Sequence, residues 1–252
     1  MVWYYESGQL LSKSNYKDGE LHGLQERYYE SGQLLSRDNS KDGEQHGLHE
    51  SYYGSGQLLS NYNYKDGELH GLKASYDENG LVKSESYFLE GRIQSEINFE
   101  DGIKSTEEHY RYYETGQLET TDNYKDGEQH GLHESYYESG QLLSKYNYKG
   151  GELHGLAEWY YETGQLWSKG NYKDGEQHGL RESYDKNGWL KTKVNYKAGK
   201  YDGPMETYYE SGQLNQKINY KDRKPHGLME EFNKDGSLKS SKTYENGVEI
   251  KD

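Results

Sequence analysis

The sequence predicts an all-β protein, an elongated antiparallel meander of stacked β-hairpins that forms one twisted sheet. Three observations predict this fold. A motif close to Tyr-Tyr-Glu-Ser-Gly-Gln-Leu recurs every 24 residues, each repeat contains two glycine turns, and large side chains alternate with polar ones between the turns. Alternation with a period of two between tight turns is typical of β-strands. About ten such repeats account for the 252 residues.

The two turns define the hairpins. The first turn contains Ser-Gly, Thr-Gly, Asn-Gly or Asp-Gly, and the second follows eleven residues later, usually as Asp-Gly. Glycine accepts the positive φ that such tight turns require. Two turns in each repeat leave two segments of about seven residues, which is a common strand length. The first-turn glycines are Gly8, Gly32, Gly56, Gly80, Gly116, Gly140, Gly164, Gly188, Gly212 and Gly236.

One interruption divides the array. Gly80 and Gly116 are 36 residues apart, and the extra piece at 91–102 resembles one strand with its turn. We therefore expect four repeats in residues 1–90, a degenerate insertion with one extra strand in 91–110, and six repeats in 111–252. A loop is the alternative for the insertion. One added strand reverses every later strand, so we predict the first turns of the last six repeats at the opposite long edge from those of the first four.

Residue parity assigns the two faces of the sheet. It predicts a uniform face formed by the aromatic residue four before the first-turn glycine, the Leu two after it and the Tyr eight after it. We interpret this face as structural, with a repeat ladder formed by Tyr28, Tyr52, Tyr112, Tyr136, Tyr160, Leu34, Leu142 and Leu166. The opposite face varies between repeats and carries Tyr and Trp, which dominate interface hot spots. We predict that it binds a partner through Trp159, Trp167, Tyr113, Tyr137, Tyr161, Tyr209 and Leu143, with simple coverage of the sheet as the alternative.

The composition limits the class of protein. The chain is poor in aliphatic residues, a sign of disorder, but its 29 Tyr can supply the missing buried area. The absence of Cys excludes a disulfide framework and thiol catalysis. The net charge of −14 argues against nucleic acid and anionic membranes, and it suits a basic partner or simply solubility. The start lacks the features of a signal peptide, so we expect a cytoplasmic protein, whereas a leader removed before Met1 would indicate the periplasm or the surface.

The recurring polar residues do not form a catalytic pattern. Equivalent His residues of successive hairpins lie about 9.6 Å apart, whereas the ligands of one zinc ion lie about 2 Å from it. A Glu six before the first-turn glycine is expected to bond a Tyr or Ser hydroxyl. No phosphate-binding loop or nucleophile elbow is present. We therefore expect no enzyme activity, no catalytic residue, no metal and no cofactor. The recurring His are His22, His46, His70, His130, His154, His178 and His226.

The unit YYESGQLLSKSNYKDGELHGL resembles the MORN repeat, and more closely its bacterial variant, outside residues 91–110. The resemblance implies stacked hairpins used for binding. Bacterial proteins of this kind that are similar to the YwqK family are assigned to the antitoxin or immunity class, which neutralises a toxin by direct contact. The resemblance thus implies a protein partner, a toxin that the acidic charge suggests is basic. The alternative is a structural scaffold or a surface adhesion protein.

Overall fold

A computed structural model describes residues 1–251. These residues form 25 strands and no helix, and the strands belong to one open antiparallel sheet of hairpins, as the sequence predicts. The chain divides into two compact units, Met1–Tyr110 and Arg111–Asp252. No helix in the described range could therefore span a bilayer.

The first unit contains four repeats and the interruption. Its strands are β1 (Val2–Tyr4), β2 (Leu10–Lys17), β3 (Glu20–Tyr28), β4 (Leu34–Lys41), β5 (Glu44–Gln45), β6 (Gly47–Tyr52), β7 (Leu58–Lys65), β8 (Glu68–Leu69), β9 (Gly71–Tyr76), β10 (Val82–Leu89) and β11 (Arg92–Glu100). Strand β12 (Ile103–Tyr112) begins in this unit and ends in the second.

The second unit continues the hairpin pattern. Its strands are β13 (Leu118–Lys125), β14 (Glu128–Tyr136), β15 (Leu142–Lys149), β16 (Glu152–Leu153), β17 (Gly155–Tyr160), β18 (Leu166–Lys173), β19 (Glu176–Tyr184), β20 (Leu190–Lys197), β21 (Lys200–Tyr208), β22 (Leu214–Lys221), β23 (Lys224–Phe232), β24 (Leu238–Glu245) and β25 (Val248–Ile250).

Both turn types follow from their glycines. In the second turn of the first repeat, Asp18 and Gly19 have φ values of 52° and 88°, and two positive φ angles in succession are typical of a type I′ hairpin turn. In the first turn, the N–H of Gly8 donates to the carbonyl of Tyr5 (2.9 Å), and the N–H of Tyr5 donates to the carbonyl of Gln9 (2.8 Å). The turns therefore close by local backbone bonds.

Irregularities in the ladder make one of the three rows of the predicted uniform face wrong. The register shifts between Ser51 and Tyr52, where Tyr52 pairs with Leu58, whereas Tyr64 lies opposite Gly47. Each bulge adds a residue to one strand and changes the face on which later residues lie. The Tyr eight after the glycine therefore does not share a face with the Tyr four before it.

Contacts in the second unit show the same separation of the two tyrosine rows. The ring of Tyr148 lies 6.4 Å from that of His133, whereas the hydroxyl of Tyr136 donates to Glu134 (2.8 Å). His133 and Glu134 are neighbours in β14 and so point to opposite faces. The other two predicted rows do meet across neighbouring strands, since Tyr28, Tyr136 and Tyr160 lie opposite Leu34, Leu142 and Leu166.

The interruption in the repeat forms paired strands. Strand β11 pairs antiparallel with β10 and with β12. Within the first unit, β12 consequently runs opposite to β9, the strand that leads into the previous first turn. The edge on which the later first turns lie stays a prediction.

The sheet has little aliphatic core. Among the described residues, the buried apolar side chains are Ala74, Ala157, Val194 and Ile218, and they are outnumbered by buried Ser, Thr, Asp and His. Most of the large rings are half-buried. The packing therefore depends on half-buried rings, because the sheet has few buried aliphatic side chains.

Candidate functional site

The Tyr three before each first-turn glycine connects one repeat to the next. The hydroxyl of Tyr137 donates to the backbone carbonyl of Tyr160 at 2.9 Å, and that of Tyr161 donates to the carbonyl of Tyr184 at 3.0 Å. The same bond is made by all seven tyrosines at this position. The others are Tyr5, Tyr29, Tyr53, Tyr113 and Tyr209, which donate to the carbonyls of Tyr28, Tyr52, Tyr76, Tyr136 and Phe232.

Four of these residues, Tyr113, Tyr137, Tyr161 and Tyr209, are predicted partner-binding residues. Their hydroxyls are used inside the array and their rings are half-buried. The structure thus gives them a structural role, and their contact with a partner stays a prediction. Three repeats have another residue at this position. There the side chain serves its own turn, as in Asp185, whose Oδ1 accepts from the N–H groups of Asn187 (2.8 Å) and Trp189 (3.0 Å).

The second turns also connect neighbouring repeats. The N–H of Gly175 donates to the carbonyl of Leu153 in the preceding repeat at 3.0 Å, and several other second-turn glycines repeat this bond. Recurring His residues also contact the following repeat. Nδ1 of His154, for example, lies 3.6 Å from Oδ1 of Asp174 in the next second turn. No group of three or more potential ligands within residues 1–251 could hold a metal ion.

Glutamates six before the first-turn glycine form a polar row with the structural tyrosines. The hydroxyl of Tyr208 donates to Glu206 at 2.6 Å, and burial together with this bond raises the pKa of Tyr208 to about 12. Burial opposes ionisation of Glu182, but bonds from Lys169 and Tyr184 and the charge of Lys193 lower its pKa overall. This arrangement confirms the expected hydroxyl bonds of the Glu row and explains them as structural contacts.

A row of polar and aromatic side chains crosses the other face of the second unit. Nδ1 of His133 lies 2.7 Å from Oδ1 of Asp122, and the His133 ring stacks on Tyr146 with centroids 4.5 Å apart. Burial first, and Tyr148 second, raise the pKa of Tyr146 to about 12. The Asp–His–Tyr cluster was not predicted, although the spacing of Asp122 and His133 across a hairpin is readable from the repeat.

Trp159, a predicted partner-binding residue, is packed into this row. Its ring lies 6.4 Å from Tyr146 and 6.2 Å from Tyr172, with the Arg181 guanidinium 5.8 Å away. The neighbouring Ala157 is only 1% exposed. Trp159 therefore stabilises the array, with part of its ring left at the surface.

Trp167, by contrast, lies at the surface of the second unit. It is 46% exposed, and its ring centroid is 6.4 Å from that of Tyr161. Lys186 extends over the Tyr161 ring, with Nζ 6.0 Å from the centroid. Leu143, which occupies the Trp167 position one repeat earlier, is half-buried.

Trp189 is a second exposed tryptophan that sequence reasoning did not select. It is 48% exposed and directly follows the turn glycine Gly188, where most repeats have Gln. Its departure from the repeat is the sequence feature that could have identified it as a candidate site residue. We call Tyr161, Trp167, Lys186 and Trp189 the aromatic turn surface.

Carboxylates accompany the aromatic turn surface. The first turns carry exposed glutamates two before the glycine, among them Glu114, Glu138, Glu162 and Glu210 in the second unit. Glu162 lies close enough to Tyr137 to contribute, after burial, to the raised pKa of that hydroxyl. Exposed aromatic rings beside acidic groups suit a protein partner with apolar and basic residues.

Comparison with known protein families identifies the repeat. A model described as the MORN repeat variant matches nine segments, residues 1–18, 21–42, 45–66, 108–126, 129–149, 153–174, 177–198, 201–222 and 225–246. The chain therefore belongs to the MORN repeat variant family, a class of repeat proteins involved in binding. The matches leave out residues 67–107, so the fourth repeat lies outside them together with residues 91–107 of the insertion expected at 91–110.

Other comparisons are less informative. The crystal structure of TcdB2-TccC3 is similar at 13% sequence identity and a TM-score of 0.26, covering 96% of this chain and 16% of that chain. The crystal structure of TcdB2-TccC3-Cdc42 gives 14% identity and a TM-score of 0.24 with the same coverage. The chain thus spans 16% of the length of these structures, and the low TM-scores support no functional argument. Comparison with curated proteins found no match.

Proposed function

We propose that this chain is a non-enzymatic antitoxin or immunity protein that neutralises a toxin by direct contact. The observation that carries the proposal is the aromatic turn surface, where two tryptophans are half-exposed at successive first turns of a MORN array and glutamates occupy other first turns of the same unit. Large rings at low side-chain entropy cost are typical anchors of protein interfaces. The net charge of −14 favours a basic partner.

The proposal divides the tryptophans by role. Trp167 and Trp189 are the anchors, whereas the half-buried Trp159 supports the array from within. The tyrosine hydroxyls that connect repeats hold the turns in a fixed relation and so preorganise the surface. A preorganised surface loses less entropy on binding.

The test is capture of the partner from the native host with the tagged chain, followed by mass spectrometry and expression of each captured protein alone and with this chain. We expect a captured protein that stops growth when expressed alone and loses this effect in co-expression. We expect Trp167→Ala with Trp189→Ala to abolish the rescue and to weaken binding by at least about a hundredfold, the size of one strong hot spot.

Trp3→Ala is the matched control, because Trp3 is 59% exposed but lies in the first unit. Its rescue should equal that of the wild type. A captured protein that does not inhibit growth would remove the antitoxin function. Full rescue by the double variant would instead remove the aromatic turn surface as the binding site.

A structural scaffold or adhesion role is the second candidate. The bonds that tie successive repeats at both kinds of turn favour it, since a spacer needs a fixed relation between units. Under this role, deletion of the gene would change cell shape or attachment, and no captured protein would be toxic.

A further inference from the structure

A cavity of about 590 Å³ lies at two neighbouring second turns of the second unit. This volume is within the range of small-molecule sites, about 300 to 1,000 Å³. The cavity is separate from the aromatic turn surface, which lies at first turns. It is lined by Tyr196, Gly199, Tyr201, Tyr220, Arg223 and Pro225.

Three tyrosine rings form the walls of this cavity. The centroid of Tyr201 is 5.0 Å from that of Tyr196 and 5.5 Å from that of Tyr220, at interplanar angles of 61° and 56°. Tyr201 is 38% exposed, so its ring is accessible. Aromatic rings set at such angles offer both faces and edges to a further planar ring.

The cavity coincides with departures from the repeat. Tyr201 and Pro225 stand where most other repeats have Leu or Gln, and Arg223 stands where the others have glycine. Arg223 has a φ of 67°, a conformation that glycine adopts freely and that strains other residues. Backbone strain of this kind concentrates at functional sites.

The charge is reversed at the same place. The usual second turn, Lys-Asp-Gly-Glu, is acidic, whereas the two turns beside the cavity contain four lysines and an arginine against one aspartate. Lys200 lies 3.8 Å from that aspartate, Asp222. On a chain of net charge −14 this is a local basic rim. The basic residues are Lys197, Lys200, Lys221, Arg223 and Lys224.

The guanidinium is held at the cavity. Nη2 of Arg223 donates to the carbonyl of Gly199 at 3.3 Å, a bond between the two turns. A guanidinium has five N–H donors in a planar fork, which matches a carboxylate bidentately. The hydrogen bond therefore orients a group that still has donors to offer to an anion.

We propose that this cavity binds an aromatic ring that carries a carboxylate, with the ring among Tyr196, Tyr201 and Tyr220 and the carboxylate on Arg223. The ligand is either a free aromatic acid or the C-terminal aromatic residue of a protein. The inference does not depend on the proposed antitoxin function.

The test is ligand-observed NMR titration of the full chain with N-acetylphenylalanine, its amide and N-acetylalanine. The wild type should bind the acid at least about tenfold more tightly than the amide, which lacks the charge, or N-acetylalanine, which lacks the ring. A pentapeptide ending in a free Phe then distinguishes the sources. Tighter binding of the peptide than of N-acetylphenylalanine indicates a protein C-terminus, and equal or weaker binding indicates a free acid.

Two variants restore residues of the other repeats and so should keep the fold. Arg223→Gly should remove the preference for acid over amide, and Tyr201→Leu should remove the preference for the ring. Lys149→Ala, in a second turn away from the cavity, is the control and should bind as the wild type. Equal affinity of the wild type for acid and amide, or unchanged binding by Arg223→Gly, overturns the proposal.

Discussion

At the scale of single residues, the residue three before the first-turn glycine determines whether a side-chain bond joins that turn to the following repeat. A Tyr hydroxyl bonds the carbonyl of the following repeat, as Tyr137 does with Tyr160. Asp77, Asp185 and Asn233 instead bond within their own turns.

Tyr137→Phe should lower the free energy of unfolding by about 1 kcal/mol, the net value of one hydrogen bond. The substitution removes the hydroxyl and keeps the ring, so the loss reports the bond to the Tyr160 carbonyl. Urea unfolding followed by circular dichroism measures it. Tyr16→Phe is the control, since Tyr16 is 48% exposed, and it should have almost no effect. Equal effects of the two variants would contradict the role of the bond.

At the scale of the hairpin, the repeat period and the turns can be predicted from the sequence, but the residues on each face of the sheet cannot. Asp-Gly and Ser-Gly turns 24 residues apart specify the strands, because few residues other than glycine tolerate the required φ. The bulges have no comparable mark. The register shift beside Tyr52 and Leu58 involves ordinary strand residues, and it moves Tyr64 to another face without any change in composition. Parity counting therefore fails where hydrogen-bond geometry decides.

Two glycines of one turn allow a matched test of the turn conformation. Gly56 has a φ of 89°, whereas Gly54 has no positive φ and open space around its Cβ position. Gly56→Ala should destabilise the chain by about 1 to 2 kcal/mol through the left-handed conformation. Gly54→Ala should be neutral or slightly stabilising, because it restricts the unfolded chain. Thermal unfolding of both variants measures the difference, and similar losses would contradict this account.

In the candidate site, too, some residues could be predicted from the sequence and others could not. Trp167 was predicted as a partner-binding residue because it lies on the face that varies between repeats, and the structure leaves it 46% exposed. Trp159 has the same identity, but its burial depends on Tyr146 of β15, which the pairing of β15 with β17 brings beside it. Trp189 and Arg223 depart from the repeat, and these departures are the sequence features that could have identified them.

At the scale of the whole molecule, the excess of negative charge lowers the stability of the folded array. The net charge is −14, and acidic turns follow each other along neighbouring hairpins. The Glu20 carboxylate, for example, lies close to the next second turn, which contains Asp42, Gly43 and Glu44. It is 3.7 Å from the position that a Cβ on Gly43 would occupy. Like charges in such rows lower stability unless salt screens them.

Raising sodium chloride from about 10 to about 200 mM should therefore raise the thermal midpoint, because the screening length falls from about 30 Å to below 10 Å. A double variant, Glu20→Gln with Glu44→Gln, should start from a higher midpoint and depend less on salt. Differential scanning calorimetry measures both. A midpoint that falls with salt would show that attractive pairs outweigh the repulsion.

The direction of the tyrosine bonds also has a consequence for how the gene can change. Each of the seven tyrosine hydroxyls reaches one repeat forward, 23 residues along the chain, so each of these seven units contributes a donor to its successor. Duplication or loss of a whole unit by recombination would leave every donor with an acceptor. Arrays of different length could thus arise in single genetic steps, while changes confined to one unit, such as Trp167 or Arg223, would alter the surface of that unit alone.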